Sequence, residues 1–295
     1  MIPKQYLHGF LIVILAAFPL LFSACATVRP DTPKRVALVI GNSAYQNTQA
    51  IPNPVNDARD LSRELRMLDF HVIEGLDLDI NGMIQILREF EQHVPTAKAA
   101  VFYFAGHGIQ VSGKNYLVPV DASFDQELVA REGVLESQTI PLDHVIAVLD
   151  NTPGTSLVFL DACRDNPLTS VIQGSGENQR ALKIKRHNHS GKILRQASLR
   201  RGLAQVEVGS AHNMLIAFST QPGNIALDGK GANSPFAKSL LKYIAIPGLE
   251  IRELLTEVRK DVMLTTDNHQ VPWDQSSLTA PFSFLEARHL AAPPP

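Results

Sequence analysis

Cysteine is nearly absent from this 295-residue chain: two residues, Cys25 and Cys163, rule out a disulfide scaffold. An excess of either charge is missing as well, with 27 Lys and Arg against 29 Asp and Glu and a formal net charge of −2. That balance offers no electrostatic footprint for nucleic acid, which is not expected as a partner. No G-x-G-x-x-G or phosphate-loop string occurs, so a nucleotide-binding reading would rest on Gly41 alone. The apolar run from Leu11 to Phe22 is shorter than the roughly 20 residues of a comfortable spanning helix. What is present is 45% hydrophobic residues, 19% charged residues and thirteen Phe, the composition of a folded protein with a sizeable core. The length fits one large α/β domain or two small ones.

Lys4 precedes an uncharged stretch from Leu11 to Phe22 that runs into Ser23-Ala24-Cys25. A basic start, an apolar stretch and small residues before a cut site describe a secretory signal. Phe22-Ser23-Ala24-Cys25 resembles a bacterial lipoprotein box, with Phe22 where Leu is usual. The resemblance implies a signal peptide over 1–24, a linker over 25–34 and a lipid on Cys25 that anchors the chain to a membrane. An ordinary signal peptide or an uncleaved anchor are the alternatives. Ala26, uncharged, resembles the sorting signal for the outer membrane of Gram-negative bacteria, so the expected location is the cell envelope, on the periplasmic side. Acylation of Cys25 would leave Cys163 a free thiol.

Arg35 to Ile40 reads as a buried strand, and Asn53-Pro54 as the cap and first-turn proline of a helix with Val55, Ala58, Leu61, Leu65 and Leu68 on its apolar face. Phe70 to Glu74, Ala99 to Ala105, Ser156 to Leu160 and Met214 to Ser219 read as further strands. Helices are expected around Met83 to Val94, Leu142 to Leu149, Phe236 to Tyr243 and Ile251 to Val262. Strands apolar throughout, alternating with amphipathic helices, predict a mostly parallel sheet covered on both faces. Thr169 to Gly202 breaks the pattern with Arg180, Lys183, Lys185, Arg186, Lys192, Arg195, Arg200 and Arg201 against the single acid Glu177, and reads as an exposed loop or linker.

His107 stands in Tyr103-Phe104-Ala105-Gly106-His107-Gly108, directly beyond a buried strand, at the carboxyl end where open α/β sheets place ligands. Cys163 stands in Leu160-Asp161-Ala162-Cys163-Arg164-Asp165, directly beyond the next long strand. If the two strands are neighbours, thiol and imidazole face each other. A buried inert thiol is the usual fate of a free cysteine, but Asp161, Arg164 and Asp165 would not be admitted unpaired to an apolar core. A cysteine nucleophile needs a base to form the thiolate and an acid for the leaving amine, and one imidazole serves both.

These strings resemble a bacterial member of the caspase and metacaspase clan of cysteine peptidases. The clan's Q-A-C-R-G type string has its histidine about 50 residues upstream; here Asp161-Ala162-Cys163-Arg164-Asp165 follows His107 by 163 − 107 = 56. Val36 to Asn42, Asn56-Asp57-Ala58, Phe218-Ser219-Thr220-Gln221-Pro222-Gly223 and Pro272-Trp273 also resemble family landmarks in family order. The resemblance implies a caspase-like three-layer α/β/α sandwich with a mostly parallel central sheet. It implies a large catalytic region over 35–168, an inter-subunit linker over 169–202, a small-subunit region over 203–286 and a tail over 287–295. It implies a catalytic pair of His107 and Cys163, with the backbone N–H groups of Gly108 and Cys163 as oxyanion donors.

Caspases cut after Asp by means of arginines and the signature glutamine. This chain has Asp161 at the glutamine position and no arginine in Asn53 to Asp57 or Gly223 to Asp228. Asp57 and Asp161 match the positions lining the acidic pocket of metacaspases. A desolvated carboxylate repels aspartate and binds a guanidinium, so polypeptides with Arg or Lys before the scissile bond are the expected substrates. Taken singly, Asp57 is a first-turn carboxylate favoured by the helix dipole and Asp161 a partner for Arg164. The basic linker offers self-cleavage sites to such a peptidase, or simply keeps a loop soluble or touches anionic lipid. The alternative function is an inactive caspase-fold lipoprotein serving as a binding or scaffold module. No metal ligands are assigned and no cofactor is expected, with calcium dependence left open by the resemblance because some metacaspases need it: His187-Asn188-His189 lacks a third ligand, and Asp77 and Asp79, which invite calcium, read as caps and are given no site. Trp273 is weighed as a wall of the cleft or as plain packing.

Overall fold

The computed structural model describes residues 35–111, 113–124, 132–163, 182–187, 193–200, 213–221 and 226–287. The expected signal peptide, linker and lipidation site Cys25 lie outside the described residues, as do Arg164, Asp165, Arg180, His189, Lys192, Arg201, Pro222, Gly223 and the end of the tail. In chain order the elements begin with β1 (Arg35–Gly41), α1 (Pro54–Met67), β2 (His71–Leu76), α2 (Ile80–His93), β3 (Ala99–Val111), β4 (Lys114–Leu117), α3 (Glu132–Gln138), β5 (Ile140–Pro141) and α4 (Leu142–Leu149). They continue with β6 (Thr155–Cys163), β7 (Leu182–His187), β8 (Ile193–Arg200), β9 (Met214–Phe218), α5 (Pro235–Tyr243), α6 (Ile251–Thr265) and β10 (Trp273–Ser276).

The central sheet runs β10-β9-β6-β3-β1-β2, parallel throughout except for β10, which pairs antiparallel with β9. Its inner strands β1, β3, β6 and β9 are largely apolar on both faces because both faces are covered, and successive side chains point to opposite sides. Val36, Leu38 and Ile40 share one layer with Met83, Leu87 and Phe90 of α2 and Val145 of α4. Ala37 and Val39 share the other with Leu61 and Leu65 of α1, Leu240 of α5 and Val258 of α6. This is the three-layer α/β/α sandwich with a mostly parallel sheet that the resemblance implied. Among the described residues no helix is long and apolar enough to cross a membrane.

Several local readings change. The strand expected to end at Ala105 continues to Val111, because β4 pairs antiparallel with its far half where β1 has already stopped. His107 and Cys163 are therefore the last in-register pair inside neighbouring strands, not residues beyond them. Asn53 does not cap α1 with its side chain; Nδ2 donates instead to the Asp228 carbonyl at 2.7 Å. The basic segment read as a loop carries the β7–β8 hairpin, and β8 pairs with β3 at Gln110 and Val111. Period-2 alternation in Leu182-Lys183-Ile184-Lys185 and Ala197-Ser198-Leu199-Arg200 is the strand signal that charge composition obscured. Asp77 Oδ1 accepts the amides of Ser43 and Ala44 at 2.7 and 2.8 Å, and Asp79 Oδ1 accepts that of Gly82 at 2.7 Å, so both carboxylates are engaged by backbone at turns.

Candidate active site

β3 carries His107 into the carboxyl rim of the sheet, where the ring is only 5% exposed. Gly106 makes the passage possible. Its φ is +153°, and a Cβ there would lie 2.5 Å from the Tyr45 hydroxyl oxygen. That hydroxyl accepts the His107 backbone N–H at 2.7 Å and donates to the Val118 carbonyl at 3.2 Å, while the two rings stand 4.3 Å apart at 49°. The His107 carbonyl accepts the Val118 N–H at 3.0 Å. On the ring, Nε2 lies 2.8 Å from the Gln49 carbonyl oxygen. A carbonyl only accepts, so the proton sits on Nε2 and Nδ1 is the basic nitrogen. Tyr45 and Gln49 were missed in the sequence; a carbonyl that any residue could supply leaves no signature there.

Cys163 ends β6 directly opposite His107 in the parallel β3–β6 register. Adjacent strands lie about 4.8 Å apart, so the two backbones are neighbours. Gly108 pairs with Leu117 of β4 across a position flanked by the bond from Val118 N–H to the His107 carbonyl. In such a ladder the Gly108 amide is not spent on β4 and turns toward the β6 side.

Asp57 and Asp161, far apart in sequence, are brought together by Ser234. The Ser234 N–H donates to Asp57 Oδ1 at 3.1 Å, and its hydroxyl donates to Asp161 Oδ2 while accepting the Ala237 N–H at 2.9 Å as the N-cap of α5. Both carboxylates are buried, at 1% and 6% exposure. Burial, reinforced by the charge of Asp161, pushes the Asp57 carboxyl up to about 8. Burial also pushes Asp161 up to about 6, against hydrogen bonds from Ser234 and Ser219 that favour its ionised form. A third acid, Asp228, adds its field to both and is itself raised by burial; its Oδ1 accepts the Asn53 N–H at 3.3 Å. Asp228 was noted in the sequence only as a place without arginine. Among the described residues no Lys or Arg forms an ion pair with any of the three. Tyr103 lies beneath them, its phenol fully buried and pushed up by desolvation and by the Asp57 and Asp161 charges. The helix-dipole reading of Asp57 holds for its place in the first turn of α1 but loses energetically to desolvation. Trp273 pairs with Phe218 at the same rim and is 44% exposed, so it is not core packing.

The caspase domain family (Peptidase C14) matches residues 34–283. Over 138 residues, 47% of this chain, it is 36% identical to the mucosa-associated lymphoid tissue lymphoma translocation protein 1 of Homo sapiens and likewise to its homolog in Mus musculus. Over 149 residues it is 23% identical to a paracaspase of Dictyostelium discoideum. The matched stretch is 16% of each mammalian protein and 33% of the Dictyostelium one, so this chain spans a minor part of these relatives. A match running from the residue before β1 to the residue before Phe284, over a sandwich of this strand order, assigns the chain to the caspase family of peptidase domains.

Proposed function

We propose that this caspase-family domain is a cysteine endopeptidase that cuts polypeptides after Arg or Lys. The observation that carries the reading is the group of three desolvated carboxylates, Asp57, Asp161 and Asp228, beside the in-register His107 and Cys163 and, among the described residues, without an ion-paired Lys or Arg. A guanidinium or ammonium entering there restores the charge balance that burial has disturbed.

In the proposed reaction His107 Nδ1 takes the Cys163 thiol proton, and the thiolate attacks the carbonyl carbon of the Arg or Lys residue. The developing oxyanion is held by the amides of Gly108 and Cys163. The imidazolium returns the proton to the leaving amine, and water then hydrolyses the thioester with His107 again as base. The Gln49 carbonyl supports the imidazolium through Nε2–H. On matched peptides ending in Arg, Lys or Asp, turnover of the basic pair is expected to exceed that of the Asp peptide by at least about a hundredfold, because a carboxylate would be buried among carboxylates. Faster turnover of the Asp peptide overturns the assignment.

The same specificity makes the basic segment a substrate. The wild-type chain is expected to be cut within 169–202 during purification and Cys163→Ala to stay whole, as read by intact mass. A Cys163→Ala protein nicked there without added protease rules out self-processing.

A further inference from the structure

Two histidines and a glutamate converge at the end of the sheet remote from His107. His71 opens β2, while Glu89 and His93 lie four positions apart in the closing turns of α2 and so share one helix face. Burial of Met83, Leu87 and Phe90 against the sheet fixes that face beside the start of β2. One donor atom from each of His71, Glu89 and His93 lies within 4.8 Å of the other two. The two imidazole rings stand 4.8 Å apart, centroid to centroid, at 58°. His71 and Glu89 are exposed and His93 is half-buried, and among the described residues no ion pair takes up Glu89.

We propose that His71, Glu89 and His93 form a binding site for a zinc-class divalent cation. Two neutral imidazoles and one carboxylate suit zinc, nickel or copper, whereas calcium and magnesium take oxygen ligands throughout. Tetrahedral zinc with ligand bonds of about 2.0–2.2 Å sets donor atoms about 3.3 Å apart, so these side chains close by up to about 1.5 Å. Solvent exposure leaves them room to do so. Three protein ligands leave the fourth position to water. The ion would tie the last turn of α2 to the first residue of β2. It is independent of the peptidase reading. His71 is in register with Val36 and Val36 with Ala100, and 107 − 100 = 7 residues of β3 separate that level from His107. At about 3.3 Å per residue the site stands about 23 Å from the catalytic level.

The test is zinc titration by calorimetry of chelator-treated full chain carrying Cys25→Ala and Cys163→Ala, which remove both thiols as competing ligands. The chain is expected to take up one zinc ion with micromolar or tighter affinity and to gain several degrees in Tm on doing so. His71→Ala, His93→Ala and Glu89→Gln, each in that background, are expected to weaken this binding at least about tenfold and to lose the zinc-dependent rise in Tm. No zinc uptake by the parent, or uptake as tight in the His71→Ala/His93→Ala double variant as in the parent, overturns the proposal.

Discussion

Asp57→Asn is expected to lower kcat/KM on Arg-ending peptides at least about a hundredfold and, at pH 8, to make the protein more stable. Both effects have one cause. The carboxyl is pushed up to about 8 by burial and by Asp161, so the folded protein holds a proton there that the unfolded chain, titrating near its ordinary value of 3.8, has released. Where the folded state binds more protons than the unfolded state, stability falls as pH rises, here from about 4 to about 8. Asn keeps an oxygen to accept the Ser234 N–H and removes the ionisation. The expected gain is a Tm higher by at least several degrees at pH 8, and it vanishes near pH 4, where both side chains are neutral in the fold. Activity runs the opposite way, since only ionised carboxylates attract the cation. In the wild type kcat/KM for Arg peptides therefore rises with pH as Asp161 ionises near 6 and Asp57 near 8. Asp57→Asn should lose the upper part of that rise. Calorimetric Tm at pH 4 and pH 8, with a pH series of initial rates, checks all three statements. A Tm lowered at pH 8 would mean that the carboxylate stabilises the apo pocket, contrary to the argument.

Gly106→Ala is expected to reduce kcat at least about a hundredfold with KM for Arg peptides changed less than about threefold. The added methyl must displace the Tyr45 hydroxyl, 2.5 Å from where it would stand, and with it the acceptor of the His107 N–H. A misplacement of about 1 Å in a catalytic group costs on that scale. Tyr45→Phe removes the hydroxyl without adding volume, so it separates loss of the hydrogen bond from the clash and should cost about tenfold in kcat. Because the acidic pocket is built by α1, β6 and α5 rather than by Tyr45, substrate affinity is the internal control. Gly106→Ala with kcat within twofold of wild type would show that His107 is placed by other contacts.

The parallel strands and their helices were legible because they obey simple periods: double burial makes β1 and the first half of β3 apolar throughout, and α6 repeats Leu254, Leu255, Val258 and Val262 at helical spacing. His107 and Cys163 were legible because a titratable group at a strand end is unusual and the family strings surround both. What remained hidden depends on partners distant in sequence. β3 runs past Ala105 only because Lys114–Leu117 folds back on it. Asn53 abandons its cap for Asp228, 175 residues away. Asp228 itself gave no motif, and the Gln49 carbonyl could give none. Ser234 had a signal that went unused: Ser before Pro235 is a strong N-cap, and an N-cap hydroxyl has a proton left to donate. That proton goes to Asp161.

The place of β9 between β6 and β10 bears on what scission of the basic segment would do. The two halves of the chain do not merely touch: β6 from the first and β9 from the second are adjacent rungs of one hydrogen-bonded sheet, and α1 from the first and α5 from the second lie over the same face. Their boundary is an interior. A cut between them would leave β6 hydrogen-bonded to β9 and α1 over the same face as α5, so the fragments would stay associated as a heterodimer inherited from a single fold. Covalent continuity there serves assembly, when the second half must find the first, and is dispensable once the sheet has closed.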